Sequence, residues 1–140
     1  MSKKTSIILC TYNESHHIKK TIVQIQKTIQ NLELIIVDDN STDGTKEIIN
    51  QINQDKKIKV IFRKKSRGLA SATLRGVIES SGDYIGWLDT NMTESIPQFK
   101  EMLNSLESNN DIVILSRYVE GGSDKRKLIR SLSSKYFNIL

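Results

Sequence analysis

Short apolar runs alternate with helical patterns along most of this chain. The runs are continuous, whereas the segments between them repeat their apolar positions at helical spacing, as Ile18, Ile22 and Ile25 do. Continuous runs are typical of buried strands, and helical spacing is typical of helices with one apolar face. Five strands are predicted, at Ser6–Thr11, Leu34–Asp38, Ile58–Arg63, Tyr84–Asp89 and Asp111–Arg117.

The same pattern predicts helices between the strands. The helix before the fifth strand should begin at Ser95, which has the character of an N-cap, with Pro97 in the first turn and Gln98 as the capping-box partner. A last amphipathic helix is expected over residues 123–140, with apolar residues repeating along one face. Three further helices are predicted at Ser15–Leu32, Thr42–Gln54 and Gly68–Ser80.

Strands that alternate with helices and are themselves continuously apolar indicate a parallel sheet covered on both faces. With right-handed crossovers, the expected fold is α/β, a Rossmann-like three-layer α/β/α sandwich with a mainly parallel sheet. Trp87, on the fourth predicted strand, is expected to lie in the core. A length of 140 residues suits one domain, so residues 1–140 are expected to form a single domain.

Composition excludes several classes of protein. Seven glycines and one proline are too few for a collagen-like or low-complexity chain. The sequence has neither the apolar run of a membrane helix nor the apolar segment and cleavage site of a signal peptide, so a cytoplasmic location is expected. One cysteine, Cys10, allows neither an intrachain disulfide nor a cysteine-based zinc cluster.

The formal net charge of +5 is concentrated in two segments. Residues 56–67 carry seven lysines and arginines, and residues 117–135 carry six more. Such segments attract a phosphorylated small molecule, an anionic membrane surface or a nucleic acid, or they serve solubility alone. Because the sequence contains no helix-turn-helix, RNP-like sheet motif or zinc site, a nucleic-acid partner is disfavoured.

Candidate chemistry lies at the ends of the predicted strands, where ligands of doubly wound parallel sheets bind. The residues at the end of each predicted strand are polar, and most of these strand ends carry charged side chains. No glycine-rich phosphate-binding turn follows the first strand, so an NAD-binding fold and a P-loop NTPase are disfavoured. A divalent ion held by strand-end carboxylates is the alternative way to neutralise a diphosphate.

Six motifs follow one another along the chain: Cys10–Glu14, Ile36–Thr45, Gly68–Ala72, Gly82–Ile85, Leu88–Asn91 and Ser116–Tyr118. Together they resemble the family-two glycosyltransferases of GT-A fold, and within that family the polyprenyl- or dolichyl-phosphate sugar synthases. The resemblance extends from Thr5 to about Asn138. It implies a GT-A fold for the predicted sandwich.

The resemblance also implies an enzyme of hexosyltransferase type. The donor would be a nucleotide-sugar with GDP or UDP, and the acceptor would be a polyprenyl or dolichyl phosphate at a membrane surface. A lipid phosphate is already an anion, so it could attack with inversion without a strong general base. Negative charge develops on the leaving diphosphate, where a metal ion and an arginine stabilise it.

The implied site has three parts. Cys10, Tyr12 and Glu14 would line the nucleoside pocket, and Val37 and Asp39 would contact the base and the ribose. The diphosphate would be held by an Asp-x-Asp signature and an arginine, so Asp89 and Arg117 are the expected catalytic residues. Thr90 would lie against the sugar-nucleotide, and Asp89 and Asn91 are the expected ligands of Mg2+ or Mn2+.

The sequence departs from the family pattern in two places. Asn91 stands where the signature has its second aspartate, and an amide oxygen ligates a hard cation without adding charge. The family also continues with a further strand and an Asp…Ser-Gly-Phe-Arg segment that this sequence does not contain. The alternative function is therefore a degenerate or truncated nucleotide-sugar-binding module with little or no turnover. Helix 123–140 would contact the membrane surface peripherally or form a homo-oligomer.

Overall fold

The computed structural model of this protein describes residues 3–54, 57–65 and 67–116. The chain divides into two compact units, Met1–Glu101 and Met102–Leu140. The sheet and the site described below belong to the first unit. The single domain over residues 1–140 stays a prediction.

The sheet has four parallel strands in the order β3-β2-β1-β4. β1 and β2 are the central strands, and their apolar residues are almost entirely buried. This is the burial expected of continuously apolar strands in a parallel sheet. The bounds are β1 Thr5–Thr11, β2 Leu32–Asp38, β3 Lys59–Phe62 and β4 Tyr84–Asp89.

Helices connect successive strands, which confirms the predicted α/β alternation. A short 3-10 helix follows β4 and leads directly into the fourth α-helix. The bounds are α1 Ile18–Thr28, α2 Thr45–Ile52, α3 Leu69–Glu79, the 3-10 helix Thr93–Gln98 and α4 Phe99–Glu107.

Neighbouring residues of β1 show that the two faces of the sheet are covered by different helices. Ile8 faces α3, because a Cβ placed at Gly76 of α3 would overlap the Ile8 side chain. Ile7 points to the opposite face, where it lies beside Gly86 and the Phe99 ring. On the α3 face, a core cluster is formed by Ile8, Ile35, Val37 and Ala72.

Leu32 is not the end of the first helix, as its apolar spacing predicts, but the first residue of β2. α1 ends at Thr28, and Asn31 adopts the left-handed region at φ 48°. Asparagine tolerates this region better than most residues, so it reverses the chain between helix and strand. An apolar residue beyond such a turn belongs to the next element, even when its spacing continues the helix.

The predicted N-cap at Ser95 is also wrong. The Ser95 N–H donates to the carbonyl of Met92 over 2.9 Å, so Ser95 already lies inside a turn that begins at Met92. Pro97 falls within this 3-10 helix, and the α-helix begins only at Phe99. The capping pattern marks the helical region correctly but not its start.

The predicted fifth strand over Asp111–Arg117 is not formed in its described part. Residues 112–116 have no regular secondary structure and join no ladder within the described part of the chain. A strand needs a hydrogen-bonded neighbour, which an apolar run does not supply by itself. Arg117 and the predicted helix 123–140 lie outside the described residues.

Trp87 is exposed, contrary to the prediction that it lies in the core. It pairs in register with Ile8 and therefore shares the face on which α3 packs. α3 packs on β1 and β2, and the described residues leave the β4 part of this face open. Ile85 and Trp87 accordingly expose 47% and 61% of their surfaces, so within the described part of the chain this face of β4 is not covered.

Glu33 organises the edge of the sheet opposite the candidate site. Its carboxylate accepts hydrogen bonds from Ser6 Oγ at 2.5 Å, from the Ser81 N–H at 2.7 Å and from Lys4 Nζ at 2.9 Å. Burial alone would raise the pKa of Glu33, but these bonds outweigh it and lower the pKa to about 2. Glu33 therefore fastens the segment before β4 to β1 and β2.

Among the described helices, none has the length and apolar character to cross a bilayer.

Candidate functional site

The carboxyl ends of β1, β2 and β4 meet at one edge of the sheet. Cys10 of β1 lies between its register partners Val37 of β2 and Asp89 of β4. The Asp39 N–H donates to the carbonyl of Thr11 over 3.0 Å, which continues the ladder one step beyond β2. The polar residues that follow these strands are thereby brought to one place, as the sequence predicts.

Asn13 joins the loop after β1 to the loop after β2. Its N–H donates to Ser41 Oγ over 2.8 Å, and its Oδ1 accepts the Thr42 N–H at 2.9 Å. Asn13 itself adopts φ 55°, and Asn40 in the neighbouring loop adopts φ 63°. Both loops are therefore held in defined conformations by bonds across the sheet edge.

Asp43 completes this connection at the start of α2. Its Oδ1 accepts from the Thr45 N–H and hydroxyl at 3.1 and 2.6 Å, and its Oδ2 accepts the Ser15 N–H at 3.0 Å. These bonds, led by that from the Thr45 hydroxyl, hold the pKa of Asp43 below its usual range. Thr45 Oγ1 also accepts the Glu14 N–H at 2.9 Å, so the β1 loop is fixed to the helix.

Asp38 and Asp39 have different roles although they are adjacent. Asp38 is fully buried, and its carboxylate accepts both the N–H and the hydroxyl of Ser41. It therefore stabilises the turn after β2 and is not available to a ligand. Asp39 points toward α3 and the residues after β3, where it meets an arginine.

Asp39 and Arg63 form a buried ion pair. Arg63 Nε and Nη2 lie 2.7 and 2.5 Å from Asp39 Oδ1, and each side chain exposes only 10% of its surface. The other carboxylate oxygen, Oδ2, accepts the Gly68 N–H at 2.7 Å. Arg63 also donates to Ser71 Oγ at 3.0 Å and to the Gly68 carbonyl at 3.2 Å.

Arg63 was not among the site residues expected from the sequence, where it was the last residue of the third predicted strand and part of a cationic segment. The signal that identifies it is its position directly after β3, which pairs with β2. Because parallel strands end at the same edge, Arg63 comes beside the residues that follow β2. The Arg63 N–H indeed donates to the Asp38 carbonyl over 2.8 Å.

A cavity of about 430 Å³ lies where β1, β2 and the start of α3 meet. Its volume is in the range of small-molecule sites. Gly68, at φ 123°, presents its N–H to Asp39 in a conformation that L side chains rarely adopt. The cavity is lined by Cys10, Thr11, Tyr12, Asp39, Arg67, Gly68, Leu69 and Ala72.

Three of the expected nucleoside-contacting residues are brought together at this cavity: Cys10, Tyr12 and Asp39. Burial, followed by the carboxylates of Asp39 and Asp89, raises the pKa of the Cys10 thiol, although its bond with Thr73 Oγ1 acts in the opposite direction. Cys10 is therefore a neutral, weakly polar part of the wall. Tyr12 is 53% exposed, so its ring is accessible at the rim.

Glu14 and Val37 are not among the residues that line the cavity. Val37 is fully buried in the core cluster beneath it. Glu14 is partly buried, and its backbone carbonyl accepts the N–H groups of His17 and Ile18 at the start of α1. Contacts of these two residues with a nucleoside stay predictions.

The Asp89–Asn91 segment forms a turn at the end of β4. Asp89 and Asn91 are exposed, whereas Thr90 exposes only 2% of its surface. The Thr90 carbonyl accepts the Thr21 hydroxyl at 2.6 Å, which fixes the turn to α1. Arg117, the expected partner of the phosphates, lies outside the described residues.

Asp89 and Asn91 offer a carboxylate oxygen and an amide oxygen as ligands for a cation at this turn. Across residues 3–54, 57–65 and 67–116, no three His, Cys, Asp or Glu side chains converge on a possible metal position. One carboxylate and one amide oxygen nevertheless fit Mg2+ or Mn2+, because such ions in phosphate-binding sites take most of their other ligands from the substrate and water. The donor set suits a cation that arrives with a diphosphate.

Comparison with known proteins gives a consistent result. The profile of glycosyl transferase family 2 matches residues 6–139. A dolichol-phosphate mannosyltransferase from Pyrococcus furiosus is 35% identical over 135 residues, which are 94% of this chain and 38% of that protein. A glycosyltransferase of Haemophilus influenzae described as uncharacterized is 34% identical over 115 residues, or 81% of this chain and 46% of that protein. The chain thus spans less than half the length of these relatives.

Solved structures share the fold. A mannosyltransferase from Pyrobaculum calidifontis, in complex with GDP-Man and Mn2+, superposes with a TM-score of 0.58 at 23% identity, covering 64% of this chain and 28% of that chain. Glucosyl-3-phosphoglycerate synthase from Mycobacterium tuberculosis, in complex with UDP, gives a TM-score of 0.61 at 23% identity, covering 79% and 42%. The parallel sheet with its helices therefore has the Rossmann-like GT-A fold, and the chain belongs to glycosyl transferase family 2.

Proposed function

We propose that this chain is the donor-binding part of a glycosyltransferase that takes a sugar from a GDP- or UDP-linked donor. The observation that carries this proposal is the cavity at the carboxyl edge of the sheet, with the Asp39 carboxylate in its wall. Asp89 lies on the same edge, beside Cys10. Nucleoside recognition and diphosphate binding thus have adjacent positions within one unit of the chain.

The nucleoside would occupy the cavity. Tyr12 offers an exposed ring for stacking, Asp39 offers a buried acceptor, and Cys10 forms a neutral part of the wall. Glu14 supports the loop after β1 through its bond to Thr45, and Val37 belongs to the core cluster beneath the cavity. The burial of these residues and the groups that they present support these proposed roles.

The diphosphate would lie toward β4. Asp89 and Asn91 would hold Mg2+ or Mn2+, and Thr90 would lie against the sugar-nucleotide through its fixed backbone. When bound, the cation supplies positive charge that stabilises the leaving diphosphate. Arg117 is proposed to act on the same phosphates, so Asp89 and Arg117 are the proposed catalytic residues.

The acceptor is proposed to be a polyprenyl or dolichyl phosphate, attacked with inversion at the anomeric carbon. Similarity to the dolichol-phosphate mannosyltransferase of Pyrococcus furiosus supports this acceptor class. The reaction would take place at the cytoplasmic face of a membrane, with the chain attached peripherally. Residues 123–140, with their apolar and basic composition, are the proposed attachment or homo-oligomer segment.

A second candidate function is a nucleotide-sugar-binding module with little or no turnover. It is favoured by Asn91, which reduces the charge at the cation position. Both functions need the same cavity, and they differ only in whether transfer follows binding.

The test is a two-step experiment on the full chain. Thermal shift with UDP-glucose and GDP-mannose, with and without Mn2+, measures donor binding, and transfer of radiolabelled sugar to a polyprenyl phosphate in detergent measures turnover. A melting temperature raised by a nucleotide-sugar, together with sugar transfer, supports the enzyme. A raised melting temperature without sugar transfer supports the binding module. A melting temperature that no nucleotide-sugar shifts overturns both.

A further inference from the structure

Thr21 is a polar residue on the buried face of α1. Beside it, this helix, which the structure describes throughout, buries Ile18, Ile22 and Ile25. A buried hydroxyl costs free energy unless it is hydrogen-bonded, and a threonine within a helix commonly bonds to a carbonyl three or four residues earlier. The Thr21 hydroxyl instead bonds to the turn after β4, 69 positions further along the chain. It therefore links α1 to the turn that carries Asp89.

The two hydrogen bonds of this hydroxyl have fixed directions. Thr21 Oγ1 lies 2.6 Å from the Thr90 carbonyl oxygen and 2.7 Å from Thr93 Oγ1. A hydroxyl carries one proton and a carbonyl can only accept, so the Thr21 proton belongs to the bond with Thr90. The second bond must then use the proton of Thr93. Thr93 thus donates to Thr21 and Thr21 donates to Thr90, so one buried side chain holds the turn at two points.

The bonded carbonyl belongs to the central peptide of a β-turn. The Met92 N–H donates to the Asp89 carbonyl over 3.0 Å, which closes a four-residue turn over Asp89–Met92. Thr90 and Asn91 are its two central residues. Asn91 does not adopt positive φ, so the turn is not of type II, which needs positive φ at its third residue. The closing bond and the negative φ fit a type I turn.

Type I and type II turns differ by a rotation of that central peptide. The rotation reverses the direction of the Thr90 carbonyl and changes φ of Asn91 from about −90° to about +80°. Asparagine tolerates positive φ better than most residues, so Asn91 by itself permits both turns. The bond from Thr21 keeps the carbonyl in its type I direction. The hydroxyl thereby sets the backbone from which the Asn91 side chain departs, two residues after Asp89.

We propose that Thr21 is a positioning residue for the cation, because its hydroxyl selects the turn conformation in which Asp89 and Asn91 serve together as ligands. The inference rests on the proposed function, since it requires Mg2+ or Mn2+ to bind at this turn with the diphosphate. Thr21 is fully buried and acts through the backbone of the turn. A site with one carboxylate and one neutral amide attracts the cation less by charge than a site with two carboxylates, so it depends more on the placement of its ligands.

The experiment measures the affinity of the full chain for UDP and for GDP by titration calorimetry, with and without Mn2+. The informative quantity is the factor by which Mn2+ tightens nucleotide binding. Thr21→Val keeps the branched shape and removes the hydroxyl, so it should lower this factor about tenfold, while the affinity without Mn2+ stays within about threefold. A ratio of affinities measured on one preparation does not depend on its folded fraction, so it remains valid for a destabilised variant.

Matched variants separate positioning from general damage. Thr21→Ser retains the hydroxyl and should retain the factor. Thr28→Val removes a hydroxyl from the last residue of the same helix and should leave the factor unchanged. Thr93→Val removes the donor to Thr21 at a half-buried position and should lower the factor about two- to threefold. It tests the inference even where Thr21→Val does not fold.

The outcomes distinguish the inference from the function on which it rests. An unchanged factor in Thr21→Val, or in Thr93→Val where Thr21→Val does not fold, overturns the inference alone. A factor lowered as much in Thr21→Ser as in Thr21→Val also overturns it, because the hydroxyl is then not the cause. If Mn2+ has no effect on the unmodified chain, the cation position at Asp89 and Asn91 is overturned with the inference. Absence of binding by both nucleotides under either condition overturns the proposed function.

Discussion

Arg63 Nε donates to Asp39 Oδ1 over 2.7 Å at a wall of the cavity where both side chains are about nine-tenths buried. The pair links the residue after β3 to the residue after β2, and the Gly68 N–H extends the link to α3. Removing one partner of a buried pair leaves an uncompensated charge, which costs roughly 3–5 kcal/mol. The Asp39–Arg63 pair at the wall of the site therefore also holds the loops after β2 and β3 together.

Asp39→Ala should weaken binding of a nucleoside diphosphate by about 1–3 kcal/mol, because a buried acceptor is lost. Titration calorimetry with UDP and GDP measures the change. Asp111→Ala removes an exposed carboxylate that is not among the residues lining the cavity, and it should bind as the unmodified chain does. If Asp39→Ala bound both nucleotides unchanged, Asp39 would not contact the base or the ribose.

Asn91→Asp should tighten Mn2+ binding in the presence of a nucleoside diphosphate. The substitution adds a charged oxygen ligand next to Asp89 in an exposed turn. Manganese titration followed by electron paramagnetic resonance measures the affinity, and Asn50→Asp on the exposed face of α2 controls for net charge. Equal affinities for all three chains would mean that Asn91 does not face the cation.

Gly68→Ala should lower both stability and nucleotide affinity. Gly68 has φ 123°, and a Cβ at this position would have no atom within 4 Å. The substitution therefore costs stability through backbone strain of about 1–3 kcal/mol and not through a clash. Gly44, at φ 95° with the same open space, is the matched control before α2. Both variants should unfold at lower urea concentration, but only Gly68→Ala should bind UDP more weakly, since Gly68, unlike Gly44, donates to Asp39.

Glu33 should make stability depend on pH in the acid range. Its pKa of about 2 lies below the ordinary 4.5, so its contribution is fully present above about pH 4.5 and is lost as the pH falls toward 2. Urea unfolding of the unmodified chain and of Glu33→Gln should differ most near pH 7 and converge toward pH 2. Glu47→Gln, an exposed change on α2, should show no such convergence. A constant difference between the chain and Glu33→Gln at all pH values would contradict the role assigned to this carboxylate.

Residues 123–140 should attach weakly to anionic vesicles or mediate self-association, as their apolar stripe and basic residues predict. Basic residues near an anionic surface contribute about 1 kcal/mol each, which salt reduces. Co-sedimentation with phosphatidylserine vesicles at low and high salt, together with sizing of the free chain, measures both outcomes. A monomer that ignores vesicles at either salt concentration would contradict the prediction.

Much of the fold could be predicted from the sequence because apolar periodicity is a local property. The bounds of β4 were predicted to the residue, and β1 and α3 to within one residue at each end. The convergence of Cys10, Tyr12 and Asp39 also followed, since the ends of parallel strands share one edge. The order of short motifs was sufficient to indicate glycosyl transferase family 2.

The local sequence pattern could not predict which part of the sheet is covered by a helix. Trp87 and Ile85 have the apolar character of core residues, but whether a helix lies above them depends on where α3 packs. For the same reason the apolar run at residues 112–116 does not become a strand without a neighbour to pair with. Whether a residue is buried depends on how several elements pack together and not on the sequence of its own element alone.

The sequence by itself determined the four strands and the helices between them, which edge of the sheet carries the polar residues and which family the chain belongs to, since these depend on local patterns and their order. Only the tertiary structure decided that Asp38 closes a turn while Asp39 faces the cavity. It also decided that Arg63, 24 residues further along the chain, takes up one oxygen of Asp39. Such a pair depends on the register of β2 against β3 and on the direction of each side chain, which are settled only when the strands and helices pack together.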